Sequence, residues 1–403
     1  MMALLDNKRF VFRYHYLFSF IFFVVLVVAL YSPVIYKLAN LTGELSDYAG
    51  HHKFIRDMFE KKTVVLPHFL FHAITATVYK INESMGLASA STIVASAAYL
   101  ITLLTVYIHL SCSVLSESFC WKIFVPFISV CVVIAAPVAL LAVIDGHMYL
   151  GYIGISTYHN PTMTLLKPLA LIHFFMTVKM MESRQATAMH VIGLIIVSIL
   201  VALAKPNYTL VMLPVVLIYL AYICLTRHRA NAAAMTISIV APSVAVLASQ
   251  FFLFFTDDKI QFAPFVVPAA LSSMLFPKFI LSMAFPLSVS LLYLKKVMND
   301  LHMKTAWAIF MFGIAQMYLL AESGQRMFHG NFFWSGQIAL FILFVATTRF
   351  MVREQIIHKK LTMEHAKKHI DFRLLFSWMI FISHAIFGVL WFYFDSLGPR
   401  VYW

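Results

Sequence analysis

The feature that most limits what this chain can become is a series of long apolar runs, the first being YLFSFIFFVVLVVALYSPVIY at residues 16–36. About 20 such residues carry a helix across the hydrocarbon core of a bilayer. A transmembrane barrel would instead alternate apolar and polar residues in segments of about 10. No such alternation occurs. Over 403 residues the chain is 62% hydrophobic and only 12% charged, against about 45–50% and 25% in soluble domains. The fold class that follows is all-α: a polytopic helical membrane protein forming a single transmembrane domain over 1–403.

Runs of spanning character fall near 16–36, 88–110, 123–144, 162–181, 189–204, 208–225, 234–255, 275–294, 305–321, 331–351 and 374–394. The stretch HFLFHAITATVYKIN (68–82) is short and carries His68, His72 and Lys80. Charge decides whether it crosses. If it does not, and the N-terminus is cytoplasmic, 18 of the 30 Lys and Arg fall on the cytoplasmic side, as the positive-inside rule requires. The expectation is therefore about eleven spans, with 68–82 interfacial or re-entrant and the C-terminus outside. The basic N-terminus reads as an uncleaved signal anchor, because the apolar run behind it is too long for a signal-peptide core. The net charge of +13 lies in loops flanking spans, which points to a lipid surface and not to nucleic acid. The four cysteines show no metal-ligand spacing, and a disulfide is not expected. No internal repeat or linker is visible.

This parity gathers polar residues on the outer face, above all in a first outer loop at 37–87. There GELSDYAGHHKFIRDMFEKK carries Glu44, Asp47, His51 and His52, followed by an apolar stripe of Phe54, Ile55, Met58 and Phe59 at helical spacing. Such a helix lies in the interface plane. Asp47 sits at its start, with His51 one turn on and on the same face. Two roles are open to Asp47. An acid there suits the helix dipole and Ser46 precedes it as a cap; equally, a carboxylate at the membrane surface can act as general base on a hydroxyl. With Glu44 or His51 it could also ligate a divalent cation, Mg²⁺ or Mn²⁺.

Three further outer stretches stand out. In YHNPT, His159 and Asn160 precede Pro161, which suits a first helical position; the alternatives are a helix cap with a snorkelling Lys167 and a polar rim for a sugar or metal. In AKPN, Lys205 and Asn207 flank a tight turn between short apolar segments; Lys205 either neutralises a lipid phosphate or snorkels. In ESGQRMFHGNFFW, Glu322 and Arg326 are spaced to pair, while Arg326, His329, Asn331 and Trp334 bracket a glycine-containing loop suited to phosphate and sugar.

The order of these parts resembles the GT-C superfamily of multispan glycosyltransferases, which use polyprenyl-phosphate-linked sugars. The resemblance rests on a first span, an outer loop with an acid near its start, the helix YAGHHKFIRDMFEKK, then YHNPT, AKPN and GQRMFHGNFFW at successive outer loops. It implies transfer of a sugar from a polyprenyl-phosphate donor to a lipid-linked or surface-glycan acceptor, with Asp47 as base and Lys205 and Arg326 on the donor phosphate. The balance of features suggests a bacterial cytoplasmic (inner) membrane, with an endoplasmic reticulum protein as the alternative. The chain departs from the family's paired acids, having Glu44-x-x-Asp47, and this bears on metal dependence. Two other classes compete: a surface-polysaccharide polymerase or ligase, which would carry a large arginine-rich late loop, and a transporter or flippase, which would carry charges in mid-span.

Overall fold

The computed structural model describes residues 15–41, 46–64, 66–112, 119–183, 185–226, 231–254, 260–364 and 371–397. Its main helices are α1 (His15–Ala39), α2 (Asp47–Lys61), α3 (Leu70–Ile81), α4 (Gly86–Ser111), α5 (Phe119–Ile134), α6 (Pro161–Glu182), α7 (Ala188–Ala204) and α8 (Pro206–Leu225). They continue with α9 (Ala232–Phe254), α10 (Leu275–Ser282), α11 (Ala284–Leu292), α12 (Leu301–Leu319), α13 (Phe333–Glu364) and α14 (Phe372–Phe392). Among the described residues seven helices are long and apolar enough to cross a membrane, or eight when the bent pair α10–α11 counts as one span. The protein is thus a nearly all-α, integral membrane type of chain. Each apolar run in the sequence carries a helix.

Helix α3, of 12 residues, rises only about 18 Å at about 1.5 Å per residue, too little to cross. The run 123–144 is a helix only as far as Ile134, after which residues 135–139 belong to no helix or strand. Pro137 has no N–H to continue the ladder. Backbone groups exposed at this depth have no water to pair with, and neighbours take them over. Ala136 N–H donates to the His384 carbonyl and Val138 N–H to the Leu281 carbonyl, while the Ser156 hydroxyl reaches the Val133 and Ala135 carbonyls. The run 275–294 is bent by 67° between α10 and α11. Pro286 explains the bend, since it cannot bond the carbonyl of Ser282 and its ring crowds that turn.

His384, fully buried on α14, serves both breaks. Its Nδ1 bonds the Ala136 carbonyl at 2.6 Å, and its Nε2 accepts from the Phe285 N–H at 3.4 Å. Gly388, one turn on, lets α14 press against the end of α5: a Cβ there would lie 2.1 Å from the Ile134 carbonyl oxygen.

Helix α13 is the axis of the bundle. Ile338 to Ala346 are all at or near zero exposure, as expected for a helix that is apolar all round. Polar groups collect at the two ends of the bundle. At one, Lys296 pairs with Glu354, Arg353 lies 2.8 Å from Asp300, and His302 lies 3.6 Å from Glu182. At the other lie the starts of α2, α6, α8 and α13. Here also a two-stranded antiparallel ribbon, β1 (Ile260–Phe262) against β2 (Leu320–Glu322), closes the end of α12. The apolar run 305–321 thus ends as a helix at Leu319, and its last residues pair in the ribbon.

Candidate functional site

The site is built on helix starts. Ser46 is the N-cap of α2, its hydroxyl accepting from the Tyr48 N–H at 3.4 Å. Asp47 is the first helical residue and is exposed. Its Oδ2 accepts a 2.6 Å hydrogen bond from the Asn160 side-chain amide. The capping role therefore falls on Ser46, and the Asp47 carboxylate is engaged by Asn160 instead.

Asn160 is the N-cap of α6, with Pro161 at the first helical position. Its Oδ1 accepts from the Met163 N–H at 2.9 Å and from the Thr162 hydroxyl at 2.8 Å. Both donors fix the amide's orientation, so its NH₂ must face Asp47. Thr162 in turn accepts from Lys205 Nζ at 3.2 Å. Lysine and carboxylate thus stand three hydrogen bonds apart, and every donor points from the lysine toward the acid.

Lys205 is the single residue joining α7 to α8, in extended conformation, with Pro206 opening the next helix. It does not snorkel. Only 7% of it is exposed, and its ammonium lies 4.4 Å from the centroid of Trp334. Burial pulls its pKa down to about 7, with the Asp47 charge acting in the opposite sense. Lys167 does not snorkel either: it is buried inside the bundle, 5.3 Å from the Phe341 centroid.

The remaining sequence candidates form the rim. His159 is buried between Tyr149 and Trp334, at 5.8 and 6.2 Å between ring centroids. Asn207 donates to the Asn331 carbonyl at 2.9 Å and to the Ser335 hydroxyl at 3.0 Å. Asn331 donates to Glu322 at 2.8 Å, and Arg326 lies 3.6 Å from the same carboxylate. Arg326 and His329 are both exposed. Tyr149, which the sequence reading passed over, accepts from Gln337 at 2.8 Å. Beside this pair lies a cavity of about 30 Å³, room for one or two waters.

The histidines of the first loop behave otherwise than expected. His51 does not join Asp47: it is buried, and its Nδ1 lies 2.9 Å from His72 Nε2 on α3. His52 bonds Ser91 on α4 at 2.7 Å. Together with Tyr48 and Ile55 they form the buried face of α2, so the stripe that anchors this helix is half imidazole. Burial lowers the pKa of His51, with the charges of its neighbours adding to the effect. Burial likewise lowers His68 to about 3 and His72 to about 4. Among the described residues no three His, Cys, Asp or Glu side chains converge as a metal set. Glu44 lies outside the described residues.

Thr162, His68 and His72 were not singled out as site residues from sequence. The i, i+4 spacing of His68 and His72 was a usable signal. Thr162 had none, since its partner Lys205 is 43 residues away. No protein-family model, curated protein or solved structure matches this chain. The chemistry must be read from the geometry: a surface carboxylate, a buried amine and an aromatic rim at one end of a helical bundle.

Proposed function

We propose that this protein is a membrane glycosyltransferase of GT-C type, moving a sugar from a polyprenyl-phosphate donor to a lipid-linked or surface-glycan acceptor at the outer face. The observation that carries this reading is the juxtaposition of Asp47 and Lys205, bridged by Asn160 and Thr162. The acceptor hydroxyl attacks the anomeric carbon, the bond from that carbon to the phosphate oxygen breaks, and polyprenyl phosphate leaves. Asp47 takes the hydroxyl proton. Lys205, with Arg326 at the rim, balances the charge that develops on the departing phosphate. Trp334, half-buried at the rim, offers a flat face for the sugar.

The same reading counts the bent pair, the two shorter apolar helices and α12 as further crossings, which gives eleven spans. It sets the site on the outer side of a membrane such as the bacterial cytoplasmic one, with the basic loops inside. The transporter alternative wants free polar groups in mid-span. The intramembrane histidines are instead engaged: His173 with Tyr208 and Ser198, His384 with two backbone breaks, His109 stacked on Phe175.

Mass spectrometry of polyprenyl-linked sugars and surface glycans tests the reading, comparing cells carrying wild type, Asp47→Asn and Lys205→Met. Loss of one sugar from the glycan with accumulation of the lipid donor is expected from both variants. An altered chain length instead would favour a polymerase. Unchanged species, with the variants present and folded, would overturn the proposal.

A further inference from the structure

With Lys205 as an ammonium, the hydrogen bonds from it through Thr162 and Asn160 to Asp47 form a chain in which no member is free to reverse. The ammonium is a donor only. Thr162 accepts from it and so spends its one proton on Asn160 Oδ1. Asn160 Oδ1 also holds the Met163 N–H, which leaves its NH₂ for the carboxylate. Aligned donors of this kind polarise one another. Of the two N–H···O links, the one at the lysine is long at 3.2 Å and the one at the acid short at 2.6 Å. Thr162 and Asn160 are buried, with 0% and 4% exposed, so water does not compete along the way.

We propose that Thr162 and Asn160 are positioning residues that couple phosphate binding at Lys205 to the readiness of Asp47. A phosphate oxygen is a stronger acceptor for an ammonium than a threonine hydroxyl. When phosphate draws the Lys205 ammonium to itself, the Thr162 link slackens and the donation behind Asp47 weakens. The carboxylate is then freer to take a proton from the acceptor hydroxyl. The acid is held in check until the donor phosphate is seated, so proton transfer from the acceptor waits for the leaving group. By reciprocity, Asp47 must influence phosphate affinity to the same degree. Other charged or titratable groups near the lysine are His51 from α2 and His68 from the segment before α3, which feel its charge; Arg326 from the rim bears on His68 as well. None of them is a link in the chain.

This inference rests on the proposed function, and a double-mutant cycle separates the two. Farnesyl phosphate is titrated into the full-length protein in nanodiscs for wild type, Asp47→Asn, Thr162→Val and the double variant. Thr162→Ser and Lys205→Met serve as controls. Asp47→Asn is expected to tighten binding by roughly tenfold, within the usual range of coupling between sites. In the Thr162→Val background the gain should shrink to about twofold or less, and Thr162→Ser should behave as wild type. An equal gain in both backgrounds would mean that Asp47 acts through space alone, and the coupling would be overturned while the phosphate site stood. Absence of saturable binding, or binding that Lys205→Met leaves intact, would overturn the proposed function and the coupling with it.

Discussion

Asn160 and Asp47, 113 positions apart in the chain, meet at 2.6 Å through the asparagine amide and the aspartate carboxylate. Asn160 also caps α6, so a single side chain both starts a buried helix and orients an exposed acid.

These two roles separate by substitution. Asn160→Ala should lose the cap and the contact, lowering thermal stability by about 1–2 kcal/mol and abolishing transfer. Asn160→Asp should keep a capping oxygen but set a negative charge against Asp47. We expect near-normal melting in detergent with loss of transfer from lipid-linked donor. Equal melting losses for both variants would contradict the division of labour.

Lys205 should give the protein a basic-side signature. Its folded pKa is drawn down to about 7, below the ordinary lysine value of about 10.4. Between these values the unfolded chain holds a proton that the folded amine has released, so this group makes stability rise with pH across that window. Phosphate affinity has the opposite slope, because only the ammonium binds phosphate strongly. Farnesyl phosphate binding should weaken as pH rises through about 7, and Lys205→Met should remove both trends.

The histidine face of α2 predicts acid sensitivity. His68 and His72 have folded values near 3 and 4, below the ordinary value of about 6.5. The unfolded chain takes up protons first, so their contribution to stability is full above about 6.5 and is lost as pH falls toward 4. Hydrogen exchange across 47–81, corrected for intrinsic rate, should speed up between pH 6.5 and 4.5 more than in the spans. The double substitution His68→Gln/His72→Gln should flatten that response.

His384 makes a third kind of prediction, about the bundle itself. His384→Leu leaves the Ala136 carbonyl and the Phe285 N–H without their ring partner. Each unsatisfied buried group costs about 1–3 kcal/mol. The variant should melt well below wild type in detergent, whereas Ser383→Ala beside it, at a half-buried position whose hydroxyl bonds only its own helix, should not.

The sequence carried the helices and the gathering of polar residues at one end because both are set by coarse physics: apolar length and charge parity. Asn160 and Pro161 announced a helix start through local chemistry alone. What stayed hidden depends on neighbours distant in the chain. The burial of Lys167 and Lys205 is decided by Phe341 and Trp334 across the bundle, and a hydropathy pattern sees only their depth. His51 looked like a partner for Asp47 from spacing along one helix, and α3 claimed it instead. The three-residue strands of the ribbon are too short for a period of two to register. Pro137 was the readable warning that the run 123–144 would not stay helical.

The joint between α7 and α8 consists of Lys205 and nothing else. Most connections in a protein have slack in which an inserted or deleted residue is absorbed; this one has none. One residue added within the last turn of α7 would swing the amine by about 100° around the helix, away from Thr162 and Trp334. Length at this point is therefore as strictly determined as residue identity, and tolerance to insertion should fall to a minimum there.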